Sequence, residues 1–184
     1  MRHRPACLLL LAWIAVGCAG VKAQSDFDPN ARFDSYKTFA WIGDQPGTLP
    51  SDSGGTQKSV DPLLARRIQS SIESYLEAKG YQKVEDLQAA DFAVSFSVAR
   101  KEKIQVQSYP TYAGGYGYGG WYSGSSVSAR SYTEGTLAID VFDGKSHLAV
   151  WHGWASKRVD ETMDRAALVD EVVRAILEKF PPPR

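Results

Sequence analysis

The chain has 184 residues, a length for one domain of ordinary size, and its 21 basic and 21 acidic side chains cancel to a formal net charge of zero. That balance gives no electrostatic reason to expect nucleic acid as a partner. Its two cysteines, Cys7 and Cys18, both stand near the N-terminus, so the rest of the chain has no disulfide, no thiol nucleophile and no cysteine metal ligand.

Met1-Arg2-His3-Arg4 is a short basic segment, and Ala6 to Val16 is an unbroken apolar run. The run suits the core of a signal peptide and falls short of the ~20 residues a transmembrane helix needs. Ala15-Val16-Gly17-Cys18 follows with the pattern of a bacterial lipobox. Residues 1–17 are then a lipoprotein-type signal peptide, and Cys18 is the lipid attachment site of a mature chain 18–184. Val21-Lys22-Ala23 offers ordinary signal peptidase a second site, which would leave a soluble periplasmic protein beginning at Gln24. An uncleaved signal anchor is a third option, for which the run is short. Ala19 stands after Cys18 where an inner-membrane lipoprotein has Asp. In a Gram-negative host that points to the outer membrane, facing the periplasm.

Val21 to Asp28 reads as a first strand, broken by Pro29-Asn30, and Lys37 to Ile42 as a second. Residues 43–60 have loop composition. Asp61 is a good N-cap and Pro62 fits the first helical position. Leu64, Ile68, Ile72, Tyr75 and Leu76 then share one helix face, and Gly80 closes the helix. From Asp91 the period changes to two: Phe92, Val94, Phe96 and Val98 alternate with small residues, and the strand can continue through Ile104 and Val106. Residues 109–126 are Gly, Tyr and Ser-rich and read as a loop. Leu137, Ile139 and Val141 mark the next strand, Asp143-Gly144 a hairpin turn, and His147 to Ser156 the return strand. A last helix carries Ala166, Val169, Val173, Ile176, Leu177 and Phe180, and Pro181-Pro182-Pro183 stops it. The order ββαβββα predicts an α+β fold: a largely antiparallel sheet of about five strands with two helices packed on one face.

Asp26-Phe27-Asp28-Pro29, Phe33 and Tyr36-Lys37-Thr38-Phe39-Ala40-Trp41 resemble the opening of a bacterial lipoprotein family catalogued as domain of unknown function family 4136. Lys79-Gly80-Tyr81, Ala90-Asp91-Phe92, Gly135 to Asp140, Val150-Trp151 and Phe180-Pro181-Pro182 continue the likeness in order over nearly the whole mature chain. The resemblance implies an envelope lipoprotein, a lipobox, and often a Gly/aromatic insert before the fourth strand. It implies no activity and no functional residue besides Cys18. If Val21 to Asp28 is a strand of the domain, cleavage after Ala23 would remove part of it, which favours cleavage before Cys18.

Catalytic chemistry finds little support. His147 and His152 lie five apart on one expected strand and point to opposite faces, so one metal ion cannot use both. Asp26, Asp28 and Asp34 are explained by turns and strand edges. Asp140-x-x-Asp143-Gly144 lacks the spacing and the terminal Glu of a calcium loop. Gly114 to Gly120 is no phosphate loop, because neither Lys-Ser/Thr nor a helix follows. A mobile hairpin loop of unconstrained composition is the plain account of the Gly/Tyr segment. Its functional account is stacking on sugars or peptides by Tyr116, Tyr118 and Trp121. The return strand has apolar residues on both faces, Leu148, Val150 and Trp154 on one, Ala149, Trp151 and Ala155 on the other. An open sheet face rarely carries a tryptophan, so Trp151 is expected to be covered by that loop or by another molecule. The expectation is a non-enzymatic envelope lipoprotein without a cofactor, tied to the membrane by its lipid and binding an envelope protein or glycan. A cell-wall-directed hydrolase and a purely structural or assembly lipoprotein are the alternatives.

Overall fold

The structure, a computed structural model, describes residues 20–42, 60–112, 123–160 and 162–183, with backbone alone at 108–112 and 123–127. Strand β1 is Ala23–Phe27, β2 Thr38–Trp41, β3 Gln82–Lys83, β4 Phe92–Tyr112, β5 Ser123–Asp143 and β6 Ala149–Val159. Helix α1 is Pro62–Ala78 and α2 is Arg165–Leu177. The sheet order is β1-β6-β5-β4-β2-β3.

Both helices start on a side-chain cap. Asp61 accepts from the Leu63 N–H at 2.9 Å, with Pro62 at the first helical position. Asp164 accepts from the N–H groups of Ala166 and Ala167. Gly80 ends the first helix at φ +94°, a conformation that glycine adopts without steric cost. The ends of the two helices are joined by Lys79, whose Nζ donates to the Leu177 carbonyl at 2.7 Å and to that of Phe180. A cation placed there satisfies carbonyls that the end of α2 leaves open.

The sheet corrects the expectation of about five largely antiparallel strands. It is a mixed sheet of six. The added strand, β3, has two exposed residues, too few to show a period. Strand β2 runs parallel to both β3 and β4, because α1 carries the chain back along the sheet before the next strands enter. The other pairings are antiparallel, β1 with β6, β6 with β5 and β5 with β4.

Both helices cover one face, as the two apolar stripes require. In register across β4, β5 and β6 stand Val94, Val141 and Trp151, then Phe96, Ile139 and Gly153, then Val98, Leu137 and Ala155. Ile68, Ile72 and Leu76 of α1 and Val173, Ile176 and Leu177 of α2 close over them. Phe180 lies beyond the end of α2 instead of inside the helix. Its ring sits 5.2 Å from Trp151, 5.6 Å from Phe92 and 5.9 Å from Phe33, in an aromatic cluster at that end of the core.

Trp151 is a core residue, 1% exposed. The expected exposed sheet face was the wrong one: Trp151 and Ala155 face the helices. A bulge after Val141 explains the doubly apolar strand. Val141 pairs with Trp151 while Phe142 pairs with Ala149, so Val150 is the extra residue and is buried as well. Gly153 makes room for the indole, since a Cβ there would come within 2.2 Å of it. Trp154 and His152 lie on the other face and stack on each other at 5.0 Å.

The paired backbone also takes up part of the expected loop at 109–126. Strands β4 and β5 pair continuously from Phe92–Asp143 to Tyr112–Ser123. Strand β6 leaves β5 at Thr133, and β2 leaves β4 at Val94. From Lys103–Tyr132 outward the sheet is therefore a two-stranded arm of ten rungs, roughly 34 Å long. Tyr, Thr and Ser at its outer end suit strands as well as loops, so composition alone could not mark the boundary.

Candidate functional site

Two concave regions lie at opposite ends of the sheet. The first is polar and is built from the Asp28–Tyr36 segment, the start of β4 and the β5–β6 turn. It encloses about 310 Å³ and is lined by Asp28, Arg32, Tyr36, Asp91, Asp143 and Lys145 among others. Its carboxylates are already engaged. Asp91 Oδ2 accepts from the N–H groups of Lys37 and Thr38 and from the Thr38 hydroxyl, at 2.8 to 3.1 Å. Asp143 Oδ2 accepts from the Tyr36 hydroxyl at 2.9 Å, and its Oδ1 accepts from the N–H of Ser146 at 2.7 Å and from that of Lys145. Asp28 holds the backbone N–H and side-chain amide of Asn30.

These bonds set the electrostatics. Burial pushes the Tyr36 phenol up, and its bond to Asp143 and the nearby negative charge of Asp143, Asp91 and Asp28 push it further. The phenol is therefore a fixed donor and no base. The Ser146 N–H, followed by the Tyr36 and Ser146 hydroxyls, holds Asp143 below the usual carboxylate range. Burial opposes ionisation of Asp91, but its three donors outweigh it and keep that group low too. A carboxylate that is more acidic folded than unfolded stabilises the fold above its unfolded pKa, near 3.9, and that stability is lost as pH falls through the folded value. Chemical denaturation of the wild type should show stability dropping below about pH 4. Asp91→Asn should be less stable at neutral pH and show a shallower drop in acid.

On the sheet face away from the helices, His152 Nδ1 lies 2.6 Å from Asp140 Oδ1. In the same row across the sheet stand Ser95 of β4, opposite Asp140, and Asp26 of β1, opposite His152, so Asp140 lies between the Ser95 hydroxyl and the imidazole. His147 is in the β5–β6 turn, with φ 58°, and not on the strand expected to carry both histidines. Among the described residues, no three His, Cys, Asp or Glu side chains are grouped to hold a metal ion.

The second region is an apolar cleft of about 250 Å³ at the end where both helices begin. Leu64 and Ile68 of α1, Leu168 and Val172 of α2, and Val98 and Leu137 of the sheet line it, with Arg100, Lys157 and Arg165. Lys157 is paired with Glu171. The arm leaves the sheet at this same end. On the helix-side face of the arm, the apolar alternation of β4 resumes at Ile104 and Val106, 71% and 60% exposed, beyond the reach of the two described helices. The opposite face of the arm is tied by polar contacts, Lys103 with Glu134 and the Arg158 guanidinium over the Tyr132 ring.

Cys18, Tyr116, Tyr118 and Trp121 lie outside the described residues. Trp151 is the one sequence candidate whose position is described. Its burial beneath α2 removes it from any contact surface. Sequence reasoning missed the Tyr36–Asp91–Asp143 network, although Tyr36 and Asp91 stood in the segments that carried the family likeness. It also missed the apolar cleft, whose lining comes from five separated elements.

Comparison with known proteins agrees with this architecture. A DUF4136 family protein from Bacteroides thetaiotaomicron superposes with a TM-score of 0.50 at 17% identity, over 88% of this chain and 94% of that one. The PelC dodecamer from Paraburkholderia phytofirmans gives 0.51 at 10% identity, over 89% and 99%. A PDZ domain protein from Parabacteroides distasonis gives 0.56 at 14% identity, over 89% of this chain; the chain spans only 36% of that protein's length. At such identities the likeness is one of fold. No curated protein matches the chain. The model of a family described as a domain of unknown function, DUF4136, matches residues 23–182, and the chain belongs to that family.

Proposed function

We propose that the protein is an exported lipoprotein of the bacterial envelope, anchored through Cys18 in the outer membrane and facing the periplasm, whose domain acts by binding and not by catalysis. The observation that carries the anchor is where the fold begins. Val21 packs against the core, and Ala23 opens β1 paired with Ala155. Cleavage after Ala23 would strip both from the domain, while cleavage before Cys18 keeps them. Binding is supported by the state of the polar groups. The carboxylates of the polar cleft are held by turn and strand donors, and Asp140, bonded to His152, separates that imidazole from the Ser95 hydroxyl.

The binding part rests on the outer end of the arm, between Tyr112 and Ser123, where Tyr116, Tyr118 and Trp121 offer stacking surfaces to an envelope protein or glycan. Replacing residues 113–122 with a short Gly/Ser linker should leave the melting temperature almost unchanged, because the segment has no aliphatic side chain larger than alanine. Affinity recovery from envelope extracts should then lose the partners that the wild type retains. Unchanged recovery would show that the tyrosines are inert.

A further inference from the structure

The apolar cleft lies where the core runs out of side chains. On the helix-side face of the sheet, the rows Phe96–Ile139–Gly153 and Val98–Leu137–Ala155 are followed by Arg100–Gly135–Lys157. The bulky alternation of β5 through Val141, Ile139 and Leu137 therefore ends on a glycine at the centre of the cleft floor. A Cβ at Gly135 would come within 3.0 Å of the Val159 side chain, so any side chain there would take up the room that the cleft has. Leu64 of α1 and Leu168 of α2 border the same space and are only partly buried, as is Val98 beneath them.

The charges that line the cleft are few and can be followed one by one. Lys157 is neutralised by Glu171. Asp160, the one carboxylate of the lining, accepts from the Thr162 N–H at 3.0 Å and from the Thr162 hydroxyl at 2.9 Å. Glu102, one row further out on the same face, is outside the lining. Arg100 on the floor and Arg165 at the start of α2 remain, and among the described residues neither is ion-paired. With Asp160 set against one arginine, the cleft keeps one uncompensated positive charge beside its aliphatic walls.

We propose that this cleft is a binding site for a fatty acid, with the acyl chain between the helices and the sheet and the carboxylate at Arg100 and Arg165. The two halves of the ligand answer two separate features. Each methylene that leaves water for an aliphatic lining strengthens binding about threefold to fourfold. An apolar cavity of roughly 150 Å³ already holds a benzene molecule, and the cleft has about 250 Å³. The guanidinium fork suits a carboxylate because it can donate two parallel bonds to it. An acyl chain joined to Cys18 has no free carboxylate and does not fit the arginines. The site is thus distinct from the lipid anchor and from the aromatic end of the arm.

Isothermal titration calorimetry tests this on the mature chain from residue 18 carrying Cys18→Ser, since the whole described fold lies within residues 20–183. Decanoate, kept below its micelle concentration, should bind at one per chain, and octanoate about tenfold more weakly. Arg100→Gln combined with Arg165→Gln should weaken both acids about threefold to tenfold and leave 1-octanol unaffected. Both arginines are exposed, so circular dichroism should show an intact fold. Leu168→Trp should fill the cleft and abolish binding of acids and alcohol alike. The chain-length and arginine results decide the matter even where the tryptophan variant fails to fold. Failure of the parent chain to bind decanoate overturns the inference, as does equal affinity for octanoate and decanoate. So does an arginine pair that affects the acids no more than the alcohol, or unchanged binding by a folded Leu168→Trp chain. Self-association that Leu168→Trp abolishes, without fatty-acid binding by the parent chain, would instead assign the cleft to a second copy. Because the assay uses unlipidated protein, its outcome is separate from whether Cys18 carries lipid in the cell.

Discussion

Ile72→Asp and Ile176→Asp are each expected to remove about 4 kcal/mol or more of stability, a large share of what the domain has. Both isoleucines are 0% exposed, on the stripes by which α1 and α2 cover the sheet. A carboxylate there has no charge partner among the core residues. It must be buried ionised or take up a proton, and either costs several kcal/mol. Loss of the aliphatic packing adds about 2 kcal/mol or more. Domains of this kind have about 5–15 kcal/mol in all. A loss of ~4 kcal/mol in a domain of this length lowers the melting temperature by roughly 8–16 °C. Ile72→Val should cost only about 0.5–1.5 kcal/mol. The pH dependence has a definite sign. A buried Asp has a folded pKa above its unfolded value, so its penalty relative to wild type is smallest below about pH 4 and grows as pH rises from there until the folded group ionises. Thermal melts within a degree or two of wild type would mean that these faces are not the core.

Cys18→Ser should move the protein from the membrane fraction to the soluble or unprocessed fraction. A lipobox cysteine has no substitute as the acceptor of the lipid, and an anchor with more than one acyl chain accounts for stable membrane attachment. No described helix is long and apolar enough to cross a membrane. Wild type and variant alike in both fractionation and processing would remove the lipid from the account.

Much of the fold was legible in the sequence because its signals were local. Asp61-Pro62 and Gly80 mark the ends of α1, and the alternation from Phe92 to Val98 marks a one-sided strand. What could not be read depended on neighbours. Strand β3 exists because β2 presents an edge to Gln82 and Lys83, and neither residue announces it. The two apolar faces of β6 looked like a surface in need of cover. The bulge after Val141 and the missing Cβ of Gly153 instead make it the wall of the core around Trp151. The candidate sites were harder still. Asp91 and Asp143 are 52 positions apart and are brought together by the pairing of Phe92 with Asp143, and the apolar cleft draws on both helices and three strands.

The most direct test of the anchored module is the intact mass of the N-terminal peptide of the protein purified from its own envelope. The account predicts a chain beginning at Cys18 with acyl groups on that residue and none on the same peptide of Cys18→Ser. An unmodified chain beginning at Gln24 would contradict it and leave a soluble periplasmic protein lacking the first residue of β1.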